Sequence, residues 1–169
     1  MAKKGFTVSL DCKELDRQLD MALKRNPKAT IKAVNDCTLD LLAQSVKRAP
    51  IESGELRGGA FAQVNRLVTG RGVKKNSNPG GIVSTGTPPA STKALGKVIF
   101  TGPYAVRQHE DLTLRHDRTD GYVIKSGKNK GKTVNMVAGG ESKFLEKPFE
   151  ERKQRYIERF KKIPDEVLK

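Results

Sequence analysis

The chain has 169 residues, with 33 Lys and Arg against 19 Asp and Glu, for a formal net charge of +14. Only 36% of it is hydrophobic and 5% aromatic, with no Trp, which implies one domain whose lean core neighbouring subunits would complete. No run approaches the roughly 18 consecutive apolar residues of a membrane span, and the opening MAKKGFTVSLDCKELD lacks an apolar export segment, so the chain is expected in a cytosol-like compartment.

Phe6, Val8 and Leu10 alternate with Thr7, Ser9 and Asp11, the period of a short strand. Leu15, Leu19, Ala22 and Leu23 then recur at helical spacing. They predict a helix over 12–25, with Asp11 as its N-cap, that Asn26-Pro27 breaks. A second helix is predicted over 28–48, aligning Ile31, Val34, Thr38, Leu41, Leu42 and Ser45. It ends before Ala49-Pro50 because a residue preceding proline is driven out of the α region. Cys12 and Cys37 fall within these helices with no CxxC and no nearby His, so each reads as a small, reduced core or boundary residue.

Residues 60–68 read as one strand and 97–101 as another. Between them, 70–96 is rich in Gly, Pro, Ser, Thr and Asn and is expected to be a flexible loop or hairpin containing a short strand at 82–85. Residues 103–110 predict a short helix with Pro103 at its first position. Residues 121–125 and 133–137 flank Ser126-Gly127-Lys128-Asn129-Lys130-Gly131 as a basic β-hairpin within 121–140. A last helix is predicted to open with Pro148 at its first position and to run to Lys162, with Phe149, Tyr156, Phe160 and Ile163 on one stripe and Pro164 beyond its end. The expected fold is a single α+β domain over 1–169, with two N-terminal helices and a long C-terminal helix on a small, mainly antiparallel sheet with long basic loops.

The charge is segregated. No Asp or Glu occurs from Leu56 to His109, which carries Arg57, Arg66, Arg71, Lys74, Lys75, Lys93, Lys97 and Arg107. A second acid-free stretch, 121–140, carries Lys125, Lys128, Lys130 and Lys132. Such stretches suit a polyanion, whose counterions each Lys or Arg would release, or acidic faces of a protein partner. Arg71, Lys74, Lys75, Lys93, Lys125, Lys128, Lys130 and Lys132 are therefore candidate contacts to DNA or to a neighbouring subunit.

Catalytic patterns are incomplete. His109 and His116 stand seven apart rather than at the i, i+4 spacing that puts two zinc ligands on one helix face, and Glu110 adjoins His109 directly. A Ser nucleophile has no GxSxG context. Gly127 to Thr133 reads GKNKGKT, one residue short of a phosphate loop and leading into a strand rather than a helix. Neither a catalytic residue, a metal nor a cofactor is expected. A metal-dependent nuclease built on His109, Glu110 and His116 is a distant third reading.

Three blocks in order carry a resemblance: Ala49-Pro50 followed by Gly54-Glu55-Leu56-Arg57; Tyr104-Ala105 with His109-Glu110; and Lys143-Phe144-Leu145 with Pro148. Together they resemble the neck or tail-completion family of long-tailed bacteriophages, also described as minor capsid or tail components, over about Phe6 to Ile163. The resemblance implies a non-enzymatic virion protein at the head–tail junction, assembled in the host bacterial cytoplasm. It implies a ring of identical subunits, expected as a hexamer, joining the head connector or stopper to tail-terminator or tail-tube proteins. It implies architectural roles for the motif residues, with Pro50 ending a helix, Leu56 anchoring a strand, Arg57 open to a charge-assisted contact, Tyr104 and Ala105 on a helix packed against the sheet, and Phe144 and Leu145 tying the last helix to the core. The 121–140 hairpin departs from the pattern as an insertion. The alternative is a sequence-independent nucleic-acid-binding protein.

Overall fold

A computed structural model describes residues 12–50, 55–73, 81–102, 104–112, 122–123, 131, 133–134 and 140–164. The predicted strand at Phe6 to Leu10, the Asp11 cap and Pro103 lie outside the described residues.

Helix α1 (Lys13–Arg25) and helix α2 (Pro27–Arg48) share one residue as their hinge. The Asn26 amide closes α1 by donating to the Ala22 carbonyl at 2.9 Å, and its side chain caps α2 by accepting from Ala29 N at 2.9 Å. Helix α2 starts at Pro27, one residue earlier than expected, because a proline at the first helical position gives up no hydrogen bond. It ends as predicted, with Ala49 in the extended region ahead of Pro50.

The apolar run 60–68 is a hairpin and not one strand. β1 (Ala60–Val64) turns at Asn65 and Arg66 into β2 (Leu67–Gly72). Both turn residues have positive φ, 48° and 71°, the conformation that lets a two-residue turn follow the twist of its strands. Asn65 holds this conformation by donating from its side chain to the Lys93 carbonyl at 2.7 Å and accepting from Leu95 N at 2.9 Å. The end of the 70–96 connection is thereby fastened to the hairpin rather than left as a flexible loop. Within that connection β3 (Ile82–Ser84) pairs with β2, and β4 (Gly96–Phe100) follows.

A tight turn, α3 (Glu55–Gly58), precedes β1, and a short helix, α4 (Ala105–Glu110), follows β4. The predicted basic hairpin is represented by β5 (Tyr122–Val123) pairing antiparallel with β6 (Thr133–Val134). Helix α5 (Glu146–Lys161) begins two residues before the proline predicted to open it. Pro148 sits at the third helical position, where its missing N–H is still among the amides with no intrahelical acceptor.

The main sheet is antiparallel throughout, in the order β3-β2-β1-β4, and the domain is α+β. Ala60, Ala62 and Val64 point from β1 into the core beneath α2. A Cβ at Gly70 would lie 2.4 Å from Leu39 Cδ2, and one at Gly72 would lie 2.1 Å from the Arg57 carbonyl oxygen, so both glycines are what let helix and chain approach the sheet closely. On the other side of α2, Ala22, Ala33 and Val34 pack with Tyr156, Phe160 and Ile163. Helices α1, α2 and α5 thus form a layer whose outer links are ionic: Asp40 accepts from Tyr156 Oη at 2.9 Å and pairs with Arg152 at 3.0 Å, and Asp36 pairs with Arg159.

Candidate functional site

The three motif blocks are far apart in sequence and meet in one place, at the C-terminal end of α2. Arg57 sets the first contact. Its Nε and Nη2 donate to the Ala49 carbonyl at 2.9 and 2.6 Å, and Nη2 also donates to the Lys47 carbonyl at 3.0 Å. The guanidinium therefore caps the last carbonyls of α2, where the helix dipole favours a cation. Arg57 is 3% exposed, so the charge-assisted contact expected of it is made inside its own chain. Burial lowers its pKa to about 10, which leaves it charged at neutral pH. Leu56 beside it packs against the central core as expected.

The second block lies on α4. Ala105 and His109, one turn apart, are both fully buried and face the core. The His109 ring is no surface group: it stands edge-on to Phe144 at 5.0 Å and 88°. His109 donates from Nδ1 to Glu110 Oε1 at 2.7 Å. Tyr104 departs from expectation: instead of packing on the sheet it is 73% exposed at the N-cap position of α4.

The third block closes the junction. Phe144 is fully buried, with its ring also edge-on to Phe100 at 4.9 Å, and Leu145 and Pro148 are buried beside it. Lys143 N donates to the His109 carbonyl at 2.7 Å, and Ser142 Oγ to the Asp111 carbonyl at 2.7 Å. Lys143 Nζ bridges Glu110 at 2.5 Å and Glu146 at 3.0 Å. Bonding from Lys143, with His109 adding to it, holds the Glu110 carboxyl below the ordinary carboxylate range. Glu141 N donates to the Arg48 carbonyl at 2.9 Å. Arg48 in turn grips Glu151 on α5 at 2.5 Å.

Backbone geometry at Gly140 and Lys143 completes the interlock. Gly140 has φ +138°, and a Cβ there would sit 2.5 Å from Pro50 Cα, so only glycine lets this segment cross the end of α2. Lys143 adopts φ 59°, turning the chain so that its amide and its ammonium both face α4. The approach of Gly140 to Pro50 joins residues ninety positions apart, so no local pattern announces it.

Of the candidate contact residues, Arg71 and Lys93 are exposed on the sheet and at its end. Gly54, Lys74, Lys75, Lys125, Lys128, Lys130 and Lys132 lie outside the described residues, as does His116. Cys12 and Cys37 are half-buried free thiols, and burial pushes the Cys37 thiol up to about 12. Among the described residues no three His, Cys, Asp or Glu side chains come together as metal ligands. No helix among them is long and apolar enough to cross a membrane. Comparison of the chain with protein-family models, with curated proteins and with solved structures finds no match.

Proposed function

We propose that this chain is a structural subunit of the head–tail junction of a long-tailed bacteriophage: a neck, tail-completion or minor capsid component that forms a ring and joins the head connector to the tail. The observation that carries this reading is the convergence of the motif blocks. Residues singled out by a resemblance to a family of architectural proteins make one interlock, in which Arg57 caps α2, Gly140 crosses Pro50, and Phe144 is wedged between Phe100 and His109. Side chains that hold three chain segments together are spent on structure. The reading assigns the His109–Glu110–Lys143 cluster to fastening α4 to the segment leading into α5.

Assembly would then draw on surface outside the junction, including the open face of the sheet and the exposed Tyr104, Val106 and Leu112 around α4. The test is sedimentation and negative-stain electron microscopy of the purified chain, with mass spectrometry of purified virions of the phage that encodes it. Ring particles, or a few copies per virion, are expected. A chain that stays monomeric and does not occur in the virion refutes the proposal.

A further inference from the structure

The four-stranded sheet has two unlike faces. One is covered by α2. On the other, the register places Val83, Arg71, Phe61 and Ile99 in one row across all four strands, with Gln63 beside Lys97 in the next. A bulge in β2 makes this possible: Gly70 pairs with Ala62 and Val68 with Gln63, leaving Thr69 as the extra residue. Val68 and Arg71, three apart, therefore share the outer face. The Arg71 guanidinium lies over the Phe61 ring, 5.9 Å from its centroid, which holds it flat on the sheet.

Four exposed cations frame this surface: Arg71 and Lys97 on the strands, Arg66 at the hairpin tip, and Lys93, whose backbone Asn65 fastens to that tip. None of them has a carboxylate within 4 Å among the described residues, and no acid occurs between Leu56 and His109 to supply one. Most carboxylates of the described helices are already engaged. Glu146, Glu150, Glu151 and Glu158 of α5 and Asp36 and Asp40 of α2 all pair with cations of the same chain. On the helical layer of a second copy this leaves Asp16 and Asp20 of α1, exposed and without an ion pair among the described residues, two carboxylates to set against four cations. Arg71 and Lys97 stand two strands apart, about 10 Å across the sheet, so a backbone bearing one charge per about 1.7 Å of duplex axis sets several phosphates within reach of the four cations.

We infer that the outer face of the sheet, framed by Arg66, Arg71, Lys93 and Lys97, binds the phosphate backbone of nucleic acid without reading its sequence. Phe61 and Ile99 form an apolar floor between the cations, which supplies contact without base-edge recognition. This face is separate from the motif junction, and the inference stands without the neck assignment.

The test is fluorescence anisotropy of a labelled 20-base-pair duplex with the full chain across a salt series. Four phosphate contacts give a slope of about −3.6 in log affinity against log salt, or roughly a 150-fold loss from 50 to 200 mM. The variant R66Q/R71Q/K93Q/K97Q should lose most of that slope. A second variant, K13Q/K24Q/K28Q/K32Q, removes the same charge from exposed, ion-pair-free positions on α1 and α2 and should retain it. Absence of duplex binding at 50 mM salt, or an equal loss in both variants, would overturn the inference. So would a sheet variant that binds duplex normally but sediments differently from the unmodified chain, since that outcome makes the face an interface between copies.

Discussion

Removing the Arg57 guanidinium should show how far the end of α2 depends on it. Burial that takes its pKa from 12.5 to about 10 marks a desolvation cost of about 3 kcal/mol. Against this stand three bonds to two carbonyls, at 2.6, 2.9 and 3.0 Å, each contributing about 1.5–3 kcal/mol when the donor is charged. The bonds outweigh the desolvation, and Arg57→Ala should cost about 3 kcal/mol net, since it also strands the Ala49 and Lys47 carbonyls at a buried helix end. With a urea m-value of about 2 kcal/mol/M, the midpoint falls by about 1.5 M at unchanged m. Arg57→Lys keeps the charge but loses the fork that spans two carbonyls, and should fall about halfway. Arg57→Met decides the argument, because it keeps the stem's volume and removes both the charge and the bonds. If the Met variant, followed by far-UV circular dichroism in urea, is as stable as the unmodified chain, the cap is not net stabilising and the reasoning fails.

The remaining expectations use the same melts. Gly140→Ala should cost about 3 kcal/mol, because it adds left-handed strain and a Cβ 2.5 Å from Pro50 Cα; a loss under about 0.5 kcal/mol would mean that the segment moves aside freely. Phe144→Ala should cost about 4 kcal/mol by emptying the space between Phe100 and His109, whereas Tyr104→Ala, on the exposed flank of α4, should stay within about 0.5 kcal/mol. Glu110 is held below the ordinary carboxylate pKa of 4.5, so its contribution is present above pH 4.5 and is lost as pH falls through the lower folded value. Stability measured from pH 7 down to pH 3 should accordingly fall less steeply for Glu110→Gln than for the unmodified chain. Replacing residues 113–139 with a six-residue Gly-Ser linker should leave the fold intact and raise stability by about 1.3 kcal/mol, since the shortening is about two doublings of loop length at about 0.6 kcal/mol each; a loss of more than about 2 kcal/mol would mean that the replaced segment contributes packing of its own.

The helical layer was legible because its signals are local. Asn26-Pro27, Ala49-Pro50 and Pro164 punctuate periodic runs, and the observed ends fall within two residues of the expected ones. The hairpin between β1 and β2 was not legible, because Asn65-Arg66 lacks the glycine that announces such a turn and apolar residues continue on either side of it. Its stability comes from Lys93 and Leu95, nearly thirty residues away. The junction was legible as a set of residues but not as a set of roles. Arg57 could have been read as a cap only by knowing that the chain doubles back onto Ala49. Nothing local announces that His109 is buried, because Phe144, which packs on its ring, arrives from a segment more than thirty residues later.

That same long-range closure explains where the charge can go. Segments far apart in the chain are stitched together where Ser142 and Lys143 donate to the Asp111 and His109 carbonyls. A segment whose ends are pinned adds only a logarithmic entropy cost as it lengthens. The Asn65 latch does the same for the connection that returns at Lys93 to Leu95. The carboxylates, by contrast, sit where they hold helices together, Asp40 to Arg152 and Glu151 to Arg48. Ion pairing thus engages most carboxylates of the described helices within the scaffold, while Arg66, Arg71, Lys93 and Lys97 stay exposed with no carboxylate partner among the described residues. Such an arrangement supplies attraction to a partner without weakening the subunit that carries it.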